Sequence, residues 1–250
     1  MHALLVVLVL LLASCSSKSS GRVVRVAAAA DLSRAFPELA KEFQSKTGIE
    51  VELTFGSSGL LSKQIAQGAP FTMFAAANKE FVTKVIEAGR CDAATARLYG
   101  RGRIVVWTAR GASAPTKLED LLEPRFRRIA LANPEHAPYG VAGKQALEKL
   151  GIWAKLESRI VLAENVQATM LYARDGNADA AIVALSLAVV SDGGAYLPID
   201  PNWHTPLDQQ LVVCGKGREA EDAKQFADFV GSKEGREVMT RYGFVLPVDQ

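Results

Sequence analysis

Arg22-Val23-Val24-Arg25-Val26-Ala27-Ala28-Ala29-Ala30-Asp31-Leu32 is the stretch that decides the fold of this chain. Arg22 to Ala30 is a short β-type run. It passes at once into a helical pattern, with Leu32, Phe36, Leu39, Ala40 and Phe43 recurring on one helix face. The same alternation continues outward. Ile49 to Phe55 reads as a second strand, and Leu60, Leu61, Ile65 and Ala66 follow at helical spacing. Met73 to Ala77 is a third strand, followed by Phe81, Val85 and Ile86 on a helix. Ile104–Thr108, Arg128–Ala132, Ile160–Leu162 and Ala180–Leu185 are further strands, with helices over Val141–Leu150, Val166–Asp175 and Glu219–Val230. Strands and helices in alternation predict an α/β fold, with parallel sheets covered by helices on both faces. No linker rich in Pro or Gly divides the chain. A two-domain arrangement therefore needs strands that cross, and Ile104–Thr108 and Leu211–Val213 are the candidates.

The chain has 250 residues, 29 basic against 27 acidic, and is 49% hydrophobic, which excludes a disordered chain and allows one or two globular domains. The basic residues are interspersed rather than clustered, so no nucleic-acid footprint is present. Leu4 to Ala13 is an unbroken apolar run, too short to span a bilayer and of the length of a signal-peptide core. Leu12-Ala13-Ser14-Cys15 resembles a bacterial lipobox. Residues 1–15 are expected to be a lipoprotein-type signal ending at Cys15, the lipidated residue, and the serine-rich residues 16–21 a tether.

Four strand-to-helix junctions stand out, because α/β sheets bind ligands beyond the carboxyl ends of their strands. The first is Ala27-Ala28-Ala29-Ala30-Asp31-Leu32, where Asp31 is placed as a helix N-cap. The second is Phe55-Gly56-Ser57-Ser58-Gly59, with two hydroxyls at a helix start suited to an anion. The third is Asn133-Pro134-Glu135-His136-Ala137-Pro138-Tyr139-Gly140, and the fourth Ala163-Glu164-Asn165-Val166, where Asn165 can cap the next helix. Together they point to a backbone-lined site for a small anion. Catalytic signatures are lacking: no phosphate-binding loop with its lysine, no H-E-x-x-H, no C-x-x-C and no G-x-S-x-G occurs. Ser58 with His136 is the one imaginable nucleophile and base, without an evident orienting carboxylate. Cys91 and Cys214 are expected as buried free thiols, with pairing the alternative in an oxidising compartment. Trp107 and Trp153 are expected in the core.

The sequence resembles the molybdate-binding proteins of bacterial ABC importers, from about Val23 to Pro247. The resemblance is carried by Ala28-Ala29-Ala30-Asp31-Leu32, Gly56-Ser57-Ser58-Gly59, Gln67-Gly68-Ala69-Pro70-Phe71, Asn133-Pro134-Glu135-His136-Ala137-Pro138-Tyr139-Gly140 and Arg241-Tyr242-Gly243-Phe244. It implies a bilobal periplasmic-binding-protein fold, two α/β lobes joined by crossing hinge strands. Residues 22–103 and 208–250 would form one lobe and 104–207 the other. It further implies a receptor, not an enzyme, that holds molybdate or tungstate through Ala30, Asp31, Ser58, Tyr139 and Val166. No cofactor and no metal cation are expected. The implied partners are the oxyanion and an ABC permease, with the membrane touched only through the lipid anchor. The implied setting is the periplasm or the outer face of the cell membrane, and the implied state a monomer. The alternatives are a sulfate or phosphate receptor and an outward-facing serine hydrolase.

Many members of that family have serine where this chain has Asp31, tyrosine where it has Ala184 and alanine where it has Tyr139. The chain thus resembles the subgroup whose tyrosine hydroxyl arrives from the Pro138-Tyr139-Gly140 turn. Asp31 is not explained by that exchange. Its carboxylate is expected to turn away and cap its own helix, leaving the backbone N–H to the ligand. The alternative is that it accepts a proton from an oxyanion such as hydrogen phosphate.

Overall fold

The computed structural model describes residues 21–191 and 193–247. The expected signal segment and lipidated Cys15 lie outside the described residues. Among those residues the first part of the chain runs β1 (Val23–Ala29), α1 (Ala35–Thr47), β2 (Glu50–Gly56), α2 (Ser58–Ala66), β3 (Met73–Ala76), α3 (Lys79–Glu87) and β4 (Arg97–Gly102). It continues through β5 (Ile104–Thr108), β6 (Ile129–Ala132), α4 (Pro138–Lys149), α5 (Trp153–Leu156), β7 (Ile160–Ala163), α6 (Val166–Arg174), β8 (Ala180–Ala184), α7 (Leu185–Ala188) and β9 (Ala195–Pro198). β10 (Leu207–Val213), α8 (Gly217–Gly231) and α9 (Lys233–Arg241) close it.

The strands form two five-stranded sheets, ordered β2-β1-β3-β10-β4 and β7-β6-β8-β5-β9. Each sheet has a parallel trio whose first strand is central: β1 pairs with β2 and β3, and β6 with β7 and β8. Val24 and Val26 to Ala29 of β1 are all buried, as both faces of a helix-covered parallel strand must be. The sheets are mixed, however, which corrects the expectation of parallel ones. β10 runs against β3 and β4, and β5 against β8 and β9. The reason lies in how these strands are entered. β5 begins beside Ala184, at the carboxyl end of β8, and β10 begins near Ala76, at the carboxyl end of β3. A strand arriving from the neighbouring lobe at that end has to run antiparallel. The crossings are therefore Arg103, between β4 and β5, and residues 199–206, between β9 and β10. Ile104–Thr108 and Leu211–Val213 each lie within a single sheet, on the strands that follow the crossings.

Helices seal both sheets. Phe36 and Phe43 of α1 meet Phe226 of α8 with ring centroids 6.0 and 5.2 Å apart, edge to face. Trp107 is buried on β5, its indole N–H donating to Ser191 Oγ at 2.9 Å, and half-buried Trp153 packs against the core. Cys91 and Cys214 are joined as a disulfide, which corrects the expectation of free thiols. The two residues face each other as an isolated antiparallel bridge where the chain after α3 meets the end of β10. Their sequence separation of 123 reflects the inserted second lobe, not distance in space.

Candidate functional site

Four helix starts converge where the lobes meet. A helix leaves its first amide groups without intrahelical acceptors, so each start offers free N–H donors. After β1 the chain enters a 3-10 turn, Ala30–Leu32, which presents the amides of Ala30 and Asp31. After β2, Ser57 caps α2 by accepting from the Leu60 N–H, and Ser58 is the first helical residue. α4 opens at Pro138 with Tyr139 next, and Pro fits there because its missing N–H is not needed. α6 opens at Val166 behind Asn165, whose side chain accepts from the Ala168 N–H at 3.0 Å, as the sequence suggests.

Ala30, Asp31, Ser58, Tyr139 and Val166 all line one small, tight cavity, together with Ser57, Ala77 and Asn165. The turn and α2 come from the first sheet's lobe, α4 and α6 from the second. No Lys, Arg or His is among the described residues lining this cavity. Groups of His, Cys, Asp and Glu able to hold a metal ion are likewise absent among the described residues. Ser58 Oγ accepts the Ala77 N–H at 2.9 Å, leaving its own proton to give. The arrangement can thus present five amides and one hydroxyl to an anion.

Asp31 departs from expectation. It caps nothing: the residue before the turn is Ala29, and no side-chain cap is formed. The carboxyl is fully buried instead, and its Oδ2 accepts from Tyr139 Oη at 2.9 Å and from Gln209 Nε2 at 2.6 Å. Gln209 also donates to Tyr139 Oη at 3.0 Å, which closes the triangle. Burial pushes the Asp31 carboxyl up to about 6, against the lowering pull of the Gln209 and Tyr139 hydrogen bonds and of its own backbone N–H. Burial and the neighbouring Asp31 charge hold the Tyr139 phenol well above its ordinary value, so it remains a donor. Its single proton goes to Asp31, which revises the expectation that the hydroxyl is aimed at a ligand.

Sequence reasoning missed Gln209. The signal was available: along Leu207, Gln209 and Leu211 a polar residue occupies the buried face of an alternating strand. It also missed the contacts around the cavity. Ser186 Oγ of α7 donates to the Asp31 carbonyl at 2.8 Å, and the Gly59 N–H donates to the His136 carbonyl at 2.9 Å. His136 Nδ1 lies 2.8 Å from Ser57 Oγ, so the imagined Ser58–His136 pair is not formed.

Two lobes, two crossings and a cavity walled by helix starts from both sides define a solute-binding receptor. The chain belongs to the bacterial extracellular solute-binding protein family, whose model matches residues 24–245. It is 31% identical to the molybdate-binding protein ModA of Rhodobacter capsulatus, over 91% of this chain and 89% of that one. The periplasmic molybdate-binding protein of Azotobacter vinelandii superposes with a TM-score of 0.85 at 30% identity, covering 90% of this chain and all of that one. A Bacillus subtilis relative, YvgL, 31% identical over 94% of this chain and 93% of its own, carries both "ABC transporter" and "lipoprotein" in its name. The sulfate-binding protein SubI of Mycobacterium tuberculosis shares the fold, with a TM-score of 0.74 at 16% identity over 89% of this chain and 86% of that one.

Proposed function

We propose that the protein is an extracytoplasmic receptor that captures molybdate or tungstate between its lobes and delivers it to an ABC permease. The observation that carries this reading is the cation-free ring of donors from both lobes. Amides and hydroxyls grade a multivalent oxyanion by size and charge without the fixed positive charge that would hold any anion. Hydrogen bonds to a charged group contribute ~1.5–3 kcal/mol each, so about six give ~9–18. Association costs ~4–15 kcal/mol, and the remainder reaches micromolar to nanomolar binding. Donors from both lobes meet only when the lobes are together, so a permease can recognise the loaded receptor by its closed shape. In this reading residues 22–103 and 208–250 move as one lobe against 104–207. The receptor carries out no chemistry, acts as a monomer and is held at the membrane by lipid on Cys15. The Leu12-Ala13-Ser14-Cys15 run and the lipoprotein name of YvgL support the anchor.

A thermal-shift panel of molybdate, tungstate, sulfate and phosphate tests the proposal. A ligand at ~100 times its Kd adds ~2.7 kcal/mol, a rise in Tm of roughly 5–10 °C for a chain of this size. Molybdate and tungstate should give that shift. Ser58→Ala should weaken them ~10–100-fold, since it removes a donor to a charged ligand. No shift with any of the four anions overturns the receptor reading, and a shift with phosphate or sulfate alone reassigns its ligand.

A further inference from the structure

Asp31 poses a contradiction that its surroundings resolve. An oxyanion dianion and a carboxylate share one cavity wall, and no cation lies between them among the described residues. The carboxyl is built asymmetrically. Oδ2 takes both side-chain hydrogen bonds, from Tyr139 of one lobe and Gln209 of the other, while Oδ1 is buried and, apart from the pull of its own backbone N–H on the carboxyl, meets no donor among the described residues. A buried carboxylate oxygen without a donor is costly, whereas the same oxygen carrying a proton is itself a donor. The Tyr139 and Gln209 bonds occupy Oδ2 and hold the carboxyl plane, so Oδ1 is the position left for the proton.

We propose that Asp31 serves the liganded site as a neutral carboxylic acid, protonated from solvent at Oδ1 as the oxyanion binds and held by the Tyr139–Gln209 pair at Oδ2. This inference rests on the oxyanion-receptor reading. The proton leaves bulk water or buffer, bonds to Oδ1, and the new O–H donates to an oxyanion oxygen. Asp31 thereby changes from the one repulsive group on the wall to one more donor. Its environment favours the step. Burial already raises the carboxyl to about 6 before any anion arrives, and an adjacent dianion acts in the same direction. The charge-bearing groups that sense Asp31 are the phenols of Tyr139 on α4 and Tyr99 on β4, both held well above their ordinary range and so neutral. Gln209 on β10 is neutral at any pH. The elements packed on the turn, α6, α7 and β2, bring no charge to the carboxyl.

Proton uptake makes binding depend on pH with a defined sign. Between the free-state and bound-state values of Asp31, affinity falls about tenfold per pH unit as pH rises. Titration calorimetry of the full receptor with sodium molybdate, in buffers of different ionisation enthalpy near pH 7.5, reads the proton directly. About one proton should be taken up per anion bound. Asp31→Asn keeps an acceptor for Tyr139 and Gln209 and offers a permanent N–H donor. It should bind molybdate with no uptake, with affinity flat in pH and higher than the parent's at alkaline pH. A parent that binds molybdate without buffer-dependent enthalpy and with flat affinity overturns the proton. That measurement needs no variant, so it decides the matter even where Asp31→Asn fails to fold. A parent that binds no molybdate even near pH 6 overturns the receptor reading together with the inference.

Discussion

Ser57 and His136 join the lobes through a half-buried hydrogen bond at the edge of a groove, whereas Asp31, Tyr139 and Gln209 join them in a site closed to water. When the lobes part, the first contact exchanges its hydrogen bond for water at little cost. The second has to hydrate a carboxyl that Oδ1 leaves half satisfied. The wet contact can only guide closure, while the dry one couples closure to the protonation of Asp31. Each is shadowed by a glycine. A Cβ on Gly59 would stand 2.6 Å from the His136 carbonyl oxygen, and one on Gly102 would stand 2.1 Å from Tyr139 Oη and 2.8 Å from Gln209 Nε2.

Substitutions at those two glycines should have the largest effects. Gly102→Ala should displace both partners of Asp31 and cost at least ~3 kcal/mol, the upper end of overpacking, in stability and in affinity alike. Gly59→Ala should instead act on the closed form alone, weakening anion binding while leaving the urea midpoint of the free protein in place. If the two variants behave alike in chemical denaturation and calorimetry, the two contacts do not differ in kind.

Next in size is the pH dependence of stability. The folded-state value of Asp31, about 6, lies above the ~3.9 of an unfolded chain, so the folded protein binds the extra proton. Its stabilising contribution is complete below about pH 4 and is lost as pH rises to about 6, a change of order 3 kcal/mol. Relative to the parent, Asp31→Asn should therefore gain about that much between pH 4 and pH 7 in urea unfolding. A difference that does not move with pH would mean that Asp31 titrates as an exposed carboxyl.

The smallest effects separate the hydroxyls. Tyr139→Phe takes one of two donors from the buried carboxyl and should cost ~1.5–3 kcal/mol of closed-state stability, read as ~10–100-fold weaker anion binding. Ser57→Ala removes the half-buried bond to His136 and should weaken anion binding by ~0.5–1.5 kcal/mol, at most about tenfold, while the α2 cap lost with it lowers the stability of free and bound forms alike. A reversed order would place the main latch at His136.

These effects fall on residues that the sequence revealed unequally. The helix starts were legible because capping and turn chemistry are local. Asn165, Ser57 and the Pro138-Tyr139 pair announce themselves within a few residues. β4 was not legible, because Arg97-Leu98-Tyr99-Gly100-Arg101-Gly102 has no apolar period, and its pairing with β10 is what makes it a strand. The antiparallel strands were hidden for a related reason: direction is set by where the chain enters a sheet, which no local pattern records. Asp31 was recognised as the misfit, yet its partners lie 108 and 178 residues away, so a capping role looked sufficient.

The Cys91–Cys214 bond gives the second lobe a particular mechanical position. Residues 92–213, which include the whole second sheet and both crossings, form a covalent ring closed at its neck. Tension applied at the two ends of the chain passes from Cys91 straight to Cys214 and never enters that ring. The second sheet is thus off the load path between the two ends of the chain, and a single peptide-bond cut within the ring leaves both fragments attached.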